Sequence, residues 1–277
     1  MKNIQDEIQQ ILQEYDLPLH GFCPFQAVEN HLLPCRAAAR LPENARTVLV
    51  TLFPYRFADE GPRNLSRYAA CLPDYHQAAG ESLNRAAAAL METFPPHRFE
   101  AFVDNSPLPE VRTAALAGLG CVGDNGLLIH PEFGSWVFIG AIVSDLELSL
   151  PIPGPIQECL HCGACGAACP SSCVGVTGEE RRKGCLSAVS QKKGFLSAEE
   201  EELLRDSPLV WGCDRCQEVC PLNRNTQVAP HPGFIGYQGW LAEEDLEHLE
   251  GKAYGWRGKR VLERNLELQN KASQAAD

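Results

Sequence analysis

A dense cysteine motif occupies residues 159–170 and reads Cys159-Leu160-His161-Cys162-Gly163-Ala164-Cys165-Gly166-Ala167-Ala168-Cys169-Pro170. Its spacing, C-x2-C-x2-C-x3-C-P, is that of [4Fe–4S] cluster ligands. Three cysteines in one tight turn can bind three irons of a cubane, and the fourth cysteine usually binds a second cluster. The motif therefore predicts a partner motif elsewhere in the chain.

The partner motif follows at residues 213–221, where three cysteines precede Pro221, and Cys185 stands upstream as the fourth member. Exchange of the fourth ligand between the motifs gives two crossed sets. The first cluster is predicted to bind Cys159, Cys162, Cys165 and Cys220, and the second Cys185, Cys213, Cys216 and Cys169. Two zinc sites are the alternative, but zinc requires neither the third cysteine nor the trailing Cys-Pro.

Five cysteines lie outside these sets: Cys23, Cys35, Cys71, Cys121 and Cys173. A free cysteine is usually a small buried hydrophobic residue, and we expect that role for each of them. Cys173, which closely follows Cys169, is the candidate for a spare ligand.

The composition is that of a globular protein, with 277 residues of which 44% are hydrophobic and 22% charged. Thirteen cysteines are an odd number and too few for a disulfide scaffold. The sequence shows neither an apolar run long enough to cross a bilayer nor the apolar stretch of a signal peptide, so we expect a cytoplasmic protein with no membrane partner. The net charge of −12 argues against a broadly basic surface for nucleic acid.

Helical and strand signals alternate through residues 1–150. Helices are predicted over residues 2–15, 75–93 and 110–117, and strands over residues 47–53, 98–103 and 135–143. A segment rich in proline from Leu150 to Pro155 is typical of a stiff connector. We predict an α+β, α/β-layered domain over residues 1–150, a ferredoxin-like double [4Fe–4S] domain over residues 151–230, and a C-terminal extension over residues 231–277 that packs on both. Its final helix is predicted from Lys259.

Several further segments resemble epoxyqueuosine reductases, in the order in which that family carries them. They are Asp74–His76, Phe102–Pro107, Ala117–Asn125, Pro131–Ser135, Lys193–Leu196, Trp211–Gln217 and Gly255–Lys259 with Arg264–Asn265. The resemblance implies base-off cobalamin in the first domain, beside the two clusters. It implies that electrons reach the cobalamin from reduced ferredoxin or flavodoxin and convert epoxyqueuosine in the tRNA anticodon loop to queuosine.

Asp104 matches the proton donor of that family. An epoxide oxygen that leaves as an alkoxide needs a general acid, and burial beside a corrin would keep a carboxylic acid protonated near neutral pH. Asp104 also ends an apolar strand, where α/β sheets place functional groups. Its structural alternative is a helix cap near Pro109 or a turn residue before Pro107.

The resemblance implies further cofactor contacts. They are Arg36, Arg67, Leu128, Ile139, Ser187, Gly194 and Asp214, in addition to Asp104. Each has an ordinary alternative: the apolar residues as core, the arginines as surface ion pairs, and Asp214 as a polar turn residue. We expect His76 to be structural and not an axial cobalt ligand, because the family works base-off.

The chain departs from the family in two places. It ends at Asp277 where the family continues into helical repeats that grip tRNA, so we expect a short form, and Asp124 stands where the family tends to carry lysine. Both departures reduce the surface area or the positive charge that is available to bind a polyanion such as tRNA. Two alternatives to the tRNA substrate therefore stay open: a reductase of a small epoxide or organohalide, and a non-catalytic electron-transfer or corrinoid-handling protein.

Overall fold

The computed structural model describes residues 3–175 and 183–276, with side chains up to residue 270. The helices are α1 (Ile4–Glu14), α2 (Arg67–Ala70), α3 (Tyr75–Thr93), α4 (Glu110–Leu116), α5 (Ala164–Ala167), α6 (Leu186–Ser190), α7 (Ala198–Arg205), α8 (Arg215–Glu218) and α9 (Lys259–Ala276). The strands are β1 (His20–Pro24), β2 (Thr47–Pro54), β3 (Cys71–Leu72), β4 (Phe99–Val103), β5 (Cys121–Val122), β6 (Leu128–Ile129), β7 (Val137–Ser144) and β8 (Gly236–Tyr237). None of these described helices combines the length and apolarity that a bilayer span requires.

An antiparallel sheet of four strands, in the order β1-β2-β7-β4, forms the centre of the first part of the chain. Val50 of β2 stands opposite Gly21 of β1 and Ala141 of β7, and Phe102 of β4 pairs with Ala141 from the other side. The three predicted strands and the predicted helices are confirmed. The sequence does not predict β1, because a five-residue segment containing glycine and ending in proline carries little strand signal.

Helices cover both faces of this sheet, so every residue of β2 is buried. Leu49 and Phe53 pack with residues of α1 and α3 in one core, whereas Val48 and Val50 pack in a second core with residues of α4. The layered α+β arrangement is therefore the predicted one. It explains why β2 reads as a continuous apolar run and not as an alternating one.

The cysteine-rich region and the C-terminal segment pack against this layer. Tyr237 of β8 pairs with Cys71 of β3. Trp211 and Tyr254, both 0% exposed, share a core with Leu65 from the first part of the chain. Hydrogen bonds from Ser135 to Gln217 and Asn223 join the two parts further. The cysteines are thus held at a fixed position relative to the sheet.

Candidate functional site

The first predicted cysteine set surrounds one small cavity. Its lining includes Cys159, Cys162, Cys165 and Cys220, so the structure brings the second motif's last cysteine to the first motif. The turn between the ligands depends on Gly163, whose φ of +73° lies in the left-handed region that favours glycine. Four thiols from two separated motifs therefore face a common centre.

The cysteines of the second predicted set also lie close enough to influence one another's charge. Burial raises the pKa of Cys216 to about 12, and the nearby thiols of Cys213, Cys185 and Cys169 contribute to that rise. Burial likewise raises the pKa of Cys213 to about 11, again with contributions from Cys185 and Cys169. Metal binding requires thiolates, so loading this site releases protons.

The sulfur spacing distinguishes a cluster site from a zinc site. Sulfurs on one tetrahedral zinc lie roughly 3.8 Å apart, given Zn–S bonds of about 2.3 Å. Within residues 3–175 and 183–276, only Asp124, Cys159 and His161 form a group of three or more potential ligands whose atoms all lie within 4.8 Å of one another. Neither cysteine set is that compact. The wider spacing suits a cubane, in which each thiolate binds a different iron.

A histidine inside the first motif joins it to the sheet domain. His161 Nδ1 donates to Asp124 Oδ1 at 2.8 Å, and its Nε2 donates to Glu158 Oε2 at 3.0 Å. The hydrogen bond to Asp124 and the one to Glu158 raise the pKa of His161. Asp124 is therefore an ion-pair partner of the cluster motif.

Asp104 lies at the carboxyl end of β4 and belongs to a hydrogen-bonded triad whose central member is His76. His76 Nε2 donates to Asp104 Oδ2 at 3.0 Å, and His76 Nδ1 donates to Asp74 Oδ1 at 2.9 Å. Asp74 also caps α3 by accepting the His76 backbone N–H. Asp104 itself has a φ of +56°, a strained conformation for a residue with a side chain. It caps no helix, because Pro109 occupies that position for α4.

His76 sets the charge state of Asp104 in the protein alone. The hydrogen bond from His76 lowers the pKa of Asp104 and outweighs burial, so this carboxyl is ionised at neutral pH. Hydrogen bonds to Asp104 and Asp74 raise the pKa of His76 to about 9, against the lowering effect of burial. His76 therefore holds the proton, and the protonated Asp104 expected beside a bound corrin stays a prediction. The sheet is antiparallel, so the rule that places functional groups at the strand ends of α/β sheets does not account for the position of Asp104.

Glu110, at the start of α4, is a titratable neighbour that the sequence analysis misses. Burial, together with the negative charge of Asp104, raises the pKa of Glu110 to about 8. This carboxyl therefore carries a proton at neutral pH. A glutamate in the first turn of a helix is common, so the sequence gives no signal for this role.

Asp104 and Glu110 line an open cavity of about 1130 Å³. The opposite side is formed by the connector residues Ile152–Ile156 and by Glu158 and His161. This cavity shares Gly123 and Asp124 with the cavity of the first cysteine set. The Asp104 carboxylate and the first cluster site therefore open onto neighbouring spaces.

Arg67 and Asp214 meet in a buried ion-pair network. Asp214 Oδ2 accepts hydrogen bonds from Arg63 Nη1 at 2.8 Å and from the Arg67 backbone N–H at 2.9 Å. Arg67 Nε donates to Glu60 at 2.7 Å, and its guanidinium lies 4.9 Å from the ring centroid of Trp136. Burial raises the pKa of Asp214, whereas the bonds from the two arginines lower it. Arg67 is therefore not an exposed surface ion-pair residue, and Asp214 is more than a polar turn residue, because both side chains are largely buried.

The other predicted contacts are distributed around the same region. Leu128 is 2% exposed and Ile139 is partly buried beside it, both in the core that includes α4. Ser187 lies against Tyr68, whose hydroxyl accepts from Gln191 and Trp211. The Gly194 carbonyl accepts from Arg264, which anchors that turn. Arg36 is exposed and begins the short 3-10 helix Arg36–Arg40.

The residues present fit a large ligand that carries amide groups. Tyr75 stacks on Phe138 with ring centroids 4.2 Å apart, and burial, Asp104 and Tyr68 all raise the pKa of Tyr75. Tyr75 therefore lies near both Asp104 and Tyr68. In the buried network around Arg67, Asp214 Oδ1 and Glu60 Oε1 accept no hydrogen bond from the described residues, and Trp136 Nε1 donates none to them. The peripheral amides of a corrin could satisfy such atoms.

The fold and the site define an iron–sulfur protein with two cysteine motifs beside an α+β domain. Residues 158–223 match the family model of the 4Fe-4S double cluster binding domain. The epoxyqueuosine reductase of Listeria monocytogenes is 33% identical over 69% of this chain, a match that spans 53% of the relative. That of Lactococcus garvieae is 27% identical over 96% of this chain and 86% of its own.

The fold is also that of a solved structure of epoxyqueuosine reductase with an epoxyqueuosine-modified tRNA-Tyr stem loop. Its TM-score is 0.80 at 22% identity, covering 96% of this chain and 80% of the other. The chain belongs to the epoxyqueuosine reductase family. The match spans about half the length of the first curated relative.

Proposed function

We propose that this protein is a cobalamin-dependent iron–sulfur reductase that converts epoxyqueuosine in tRNA to queuosine. The observation that carries the proposal is the Asp74–His76–Asp104 triad at a cavity that adjoins the first cysteine set. A reduction needs electrons and protons at one place, and here a cluster site and a proton-holding pair open onto neighbouring spaces.

The proton inventory of the cavity matches the reaction. Removing the epoxide oxygen as water consumes two electrons and two protons. At neutral pH one proton lies on the His76–Asp104 pair and a second on Glu110. His76 passes its proton to Asp104, to which it is hydrogen bonded, and Asp104 delivers that proton to the substrate oxygen. Glu110 supplies the second proton from the same cavity wall.

The residues that would hold cobalamin are those that the family resemblance names: Arg36, Arg67, Asp104, Leu128, Ile139, Ser187, Gly194 and Asp214. When bound, the cofactor would supply the reducing cobalt centre that the clusters feed with electrons. The protein's own part is to orient the corrin edge with polar groups around Arg67 and to exclude water through the aromatic pair Tyr75 and Phe138.

The tRNA substrate and the electron donor belong to this proposal. The relatives with similar sequence are epoxyqueuosine reductases, and a protein of this fold is solved with a modified tRNA stem loop. A tRNA-modifying role places the protein in the cytoplasm. Reduced ferredoxin or flavodoxin is the proposed donor, because the clusters accept single electrons.

Reconstitution tests the proposal. The protein is loaded anaerobically with iron, sulfide and cobalamin and incubated with a strong reductant and tRNA that carries epoxyqueuosine. Nucleoside mass spectrometry should detect queuosine, and Asp104→Asn should retain iron and cobalamin but lose turnover. Glu100→Gln, on the same strand but in a surface pair with Arg40, is the matched control and should keep full activity. Unchanged epoxyqueuosine with a fully loaded wild-type protein would refute the substrate.

A further inference from the structure

Cys173 is a buried thiol that belongs to neither predicted ligand set. It is 7% exposed and follows the last cysteine of the first motif by four residues. Its Sγ lies 3.6 Å from the Sγ of Cys169. The side chain therefore points at a cluster ligand and not only into apolar surroundings.

A tight turn brings the two sulfurs together. Ser172 has a φ of +51° and donates its backbone N–H to the Cys169 carbonyl at 3.1 Å, which folds the chain back on itself. The Ser171 hydroxyl also lies 3.7 Å from Cys169 Sγ. Pro170 begins this turn, so the turn is stiff at the point where it presents Cys173.

Cys173 lies beside Cys169, and Cys185 of the second predicted set is also close to it.

The separation of the two sulfurs has a direct chemical meaning. Two thiolates on one tetrahedral metal, with bonds of about 2.3 Å, lie roughly 3.8 Å apart. The observed 3.6 Å between Cys169 and Cys173 is close to that value. Both sulfurs can therefore reach the same iron, one after the other, with little movement of the turn.

We propose that Cys173 is an exchangeable fifth ligand of the second cluster, which binds the iron of Cys169 when that ligand is displaced. In the exchange, the iron–sulfur bond to Cys169 breaks and one to Cys173 forms. The Cys173 proton passes to Cys169, and the oxidation state of the iron is unchanged. The cluster thus survives the loss of one ligand. The inference depends on the double-cluster domain and not on the substrate proposed above.

Iron analysis of four variants tests this ligand. After anaerobic reconstitution, the wild type, Cys173→Ala and Cys169→Ala should each hold about eight irons per chain, as two cubanes do. The double variant Cys169→Ala/Cys173→Ala should hold about four irons per chain. Cys216→Ala should also hold about four, because no thiol outside the two sets neighbours Cys216 among the described residues. Electron paramagnetic resonance of the reduced proteins should show the second cluster altered in Cys169→Ala and absent in the double variant.

The opposite outcome is equally clear. If Cys169→Ala loses iron to the same extent as Cys216→Ala, Cys173 is not a ligand. A second measurement avoids dependence on Cys169→Ala folding: with an iron chelator, absorbance of the clusters should decay several-fold faster in Cys173→Ala than in the wild type. Equal decay rates would also refute the proposal. Cys23→Ala, a buried thiol in the sheet core, is the control and should decay as the wild type does.

Discussion

Replacing Asp214 by alanine should strongly destabilise the protein. The Asp214 side chain is 1% exposed, and the two arginines that it pairs with are 16% and 15% exposed. Asp214→Ala removes the acceptor of the Arg63 guanidinium and of the Arg67 backbone N–H. The variant therefore leaves two largely buried positive charges with less compensation. Removing one partner of a buried ion pair lowers stability strongly, because the remaining charge stays buried.

The magnitude follows from that burial. Removing one partner of a buried ion pair costs about 3–5 kcal/mol. At about 2.1 cal/mol/K per residue, the unfolding entropy of a chain of this length is roughly 0.6 kcal/mol/K. Asp214→Ala should therefore lower Tm by about 5–9 °C. Anaerobic differential scanning calorimetry of the reconstituted protein measures this shift, with iron content checked because Cys213 is the adjacent residue.

Glu218→Ala is the matched comparison. Glu218 pairs with the same two arginines, Arg63 and Arg67, but its side chain is 39% exposed. An exposed pair contributes about 0–1 kcal/mol, so Tm should fall by less than about 2 °C. If Asp214→Ala with full iron content shifts Tm no more than Glu218→Ala does, burial does not govern this network and the reasoning is wrong.

Three further predictions concern the triad, a turn and the core. His76 should titrate by NMR with a pKa of about 9, and Asp104→Asn should bring that value down towards 6.5; an unchanged value would contradict the ion pair. Because the pKa of His76 is raised and that of Asp104 is lowered, this pair should contribute its full stabilisation between about pH 4 and 6.5. The contribution should disappear as the pH rises through about 9 and should be lost again in acid. Urea unfolding at a series of pH values measures both losses. Gly120→Ala should destabilise the folded protein, because a Cβ there would lie 2.4 Å from the Ile129 carbonyl oxygen. Gly80→Ala in α3 has open space around the new Cβ and should be neutral or stabilising by about 0.5–1 kcal/mol. Equal effects of the two variants in calorimetry would contradict this prediction. Leu83→Ala, at a side chain that is 0% exposed, should lower the free energy of unfolding by about 2–5 kcal/mol, and a loss below about 1 kcal/mol would argue against tight packing under the sheet.

The sequence determines the elements whose signals are local. The apolar run of β2, the alanine-rich helix α3 and the spacing of the cysteine motifs can all be read from neighbouring residues, because periodicity and ligand spacing are short-range properties. The motif pair also predicts that Cys169 and Cys220 are exchanged between the two clusters. The short edge strand β1 is not readable, since its five residues become a strand only by pairing with β2.

Only the tertiary structure decides the charge states and the neighbours. His76 precedes Asp104 by 28 residues, and no sequence signal indicates that it is hydrogen bonded to Asp104 and holds the proton in the protein alone. Asp214 is predicted as a cofactor contact, with a polar turn residue as the alternative, and no sequence signal indicates that two arginines preceding it by about 150 residues enclose it. A pKa depends on distances of a few ångströms between side chains and on their exclusion from water. Both are properties of the folded chain and cannot be read from the order of its residues.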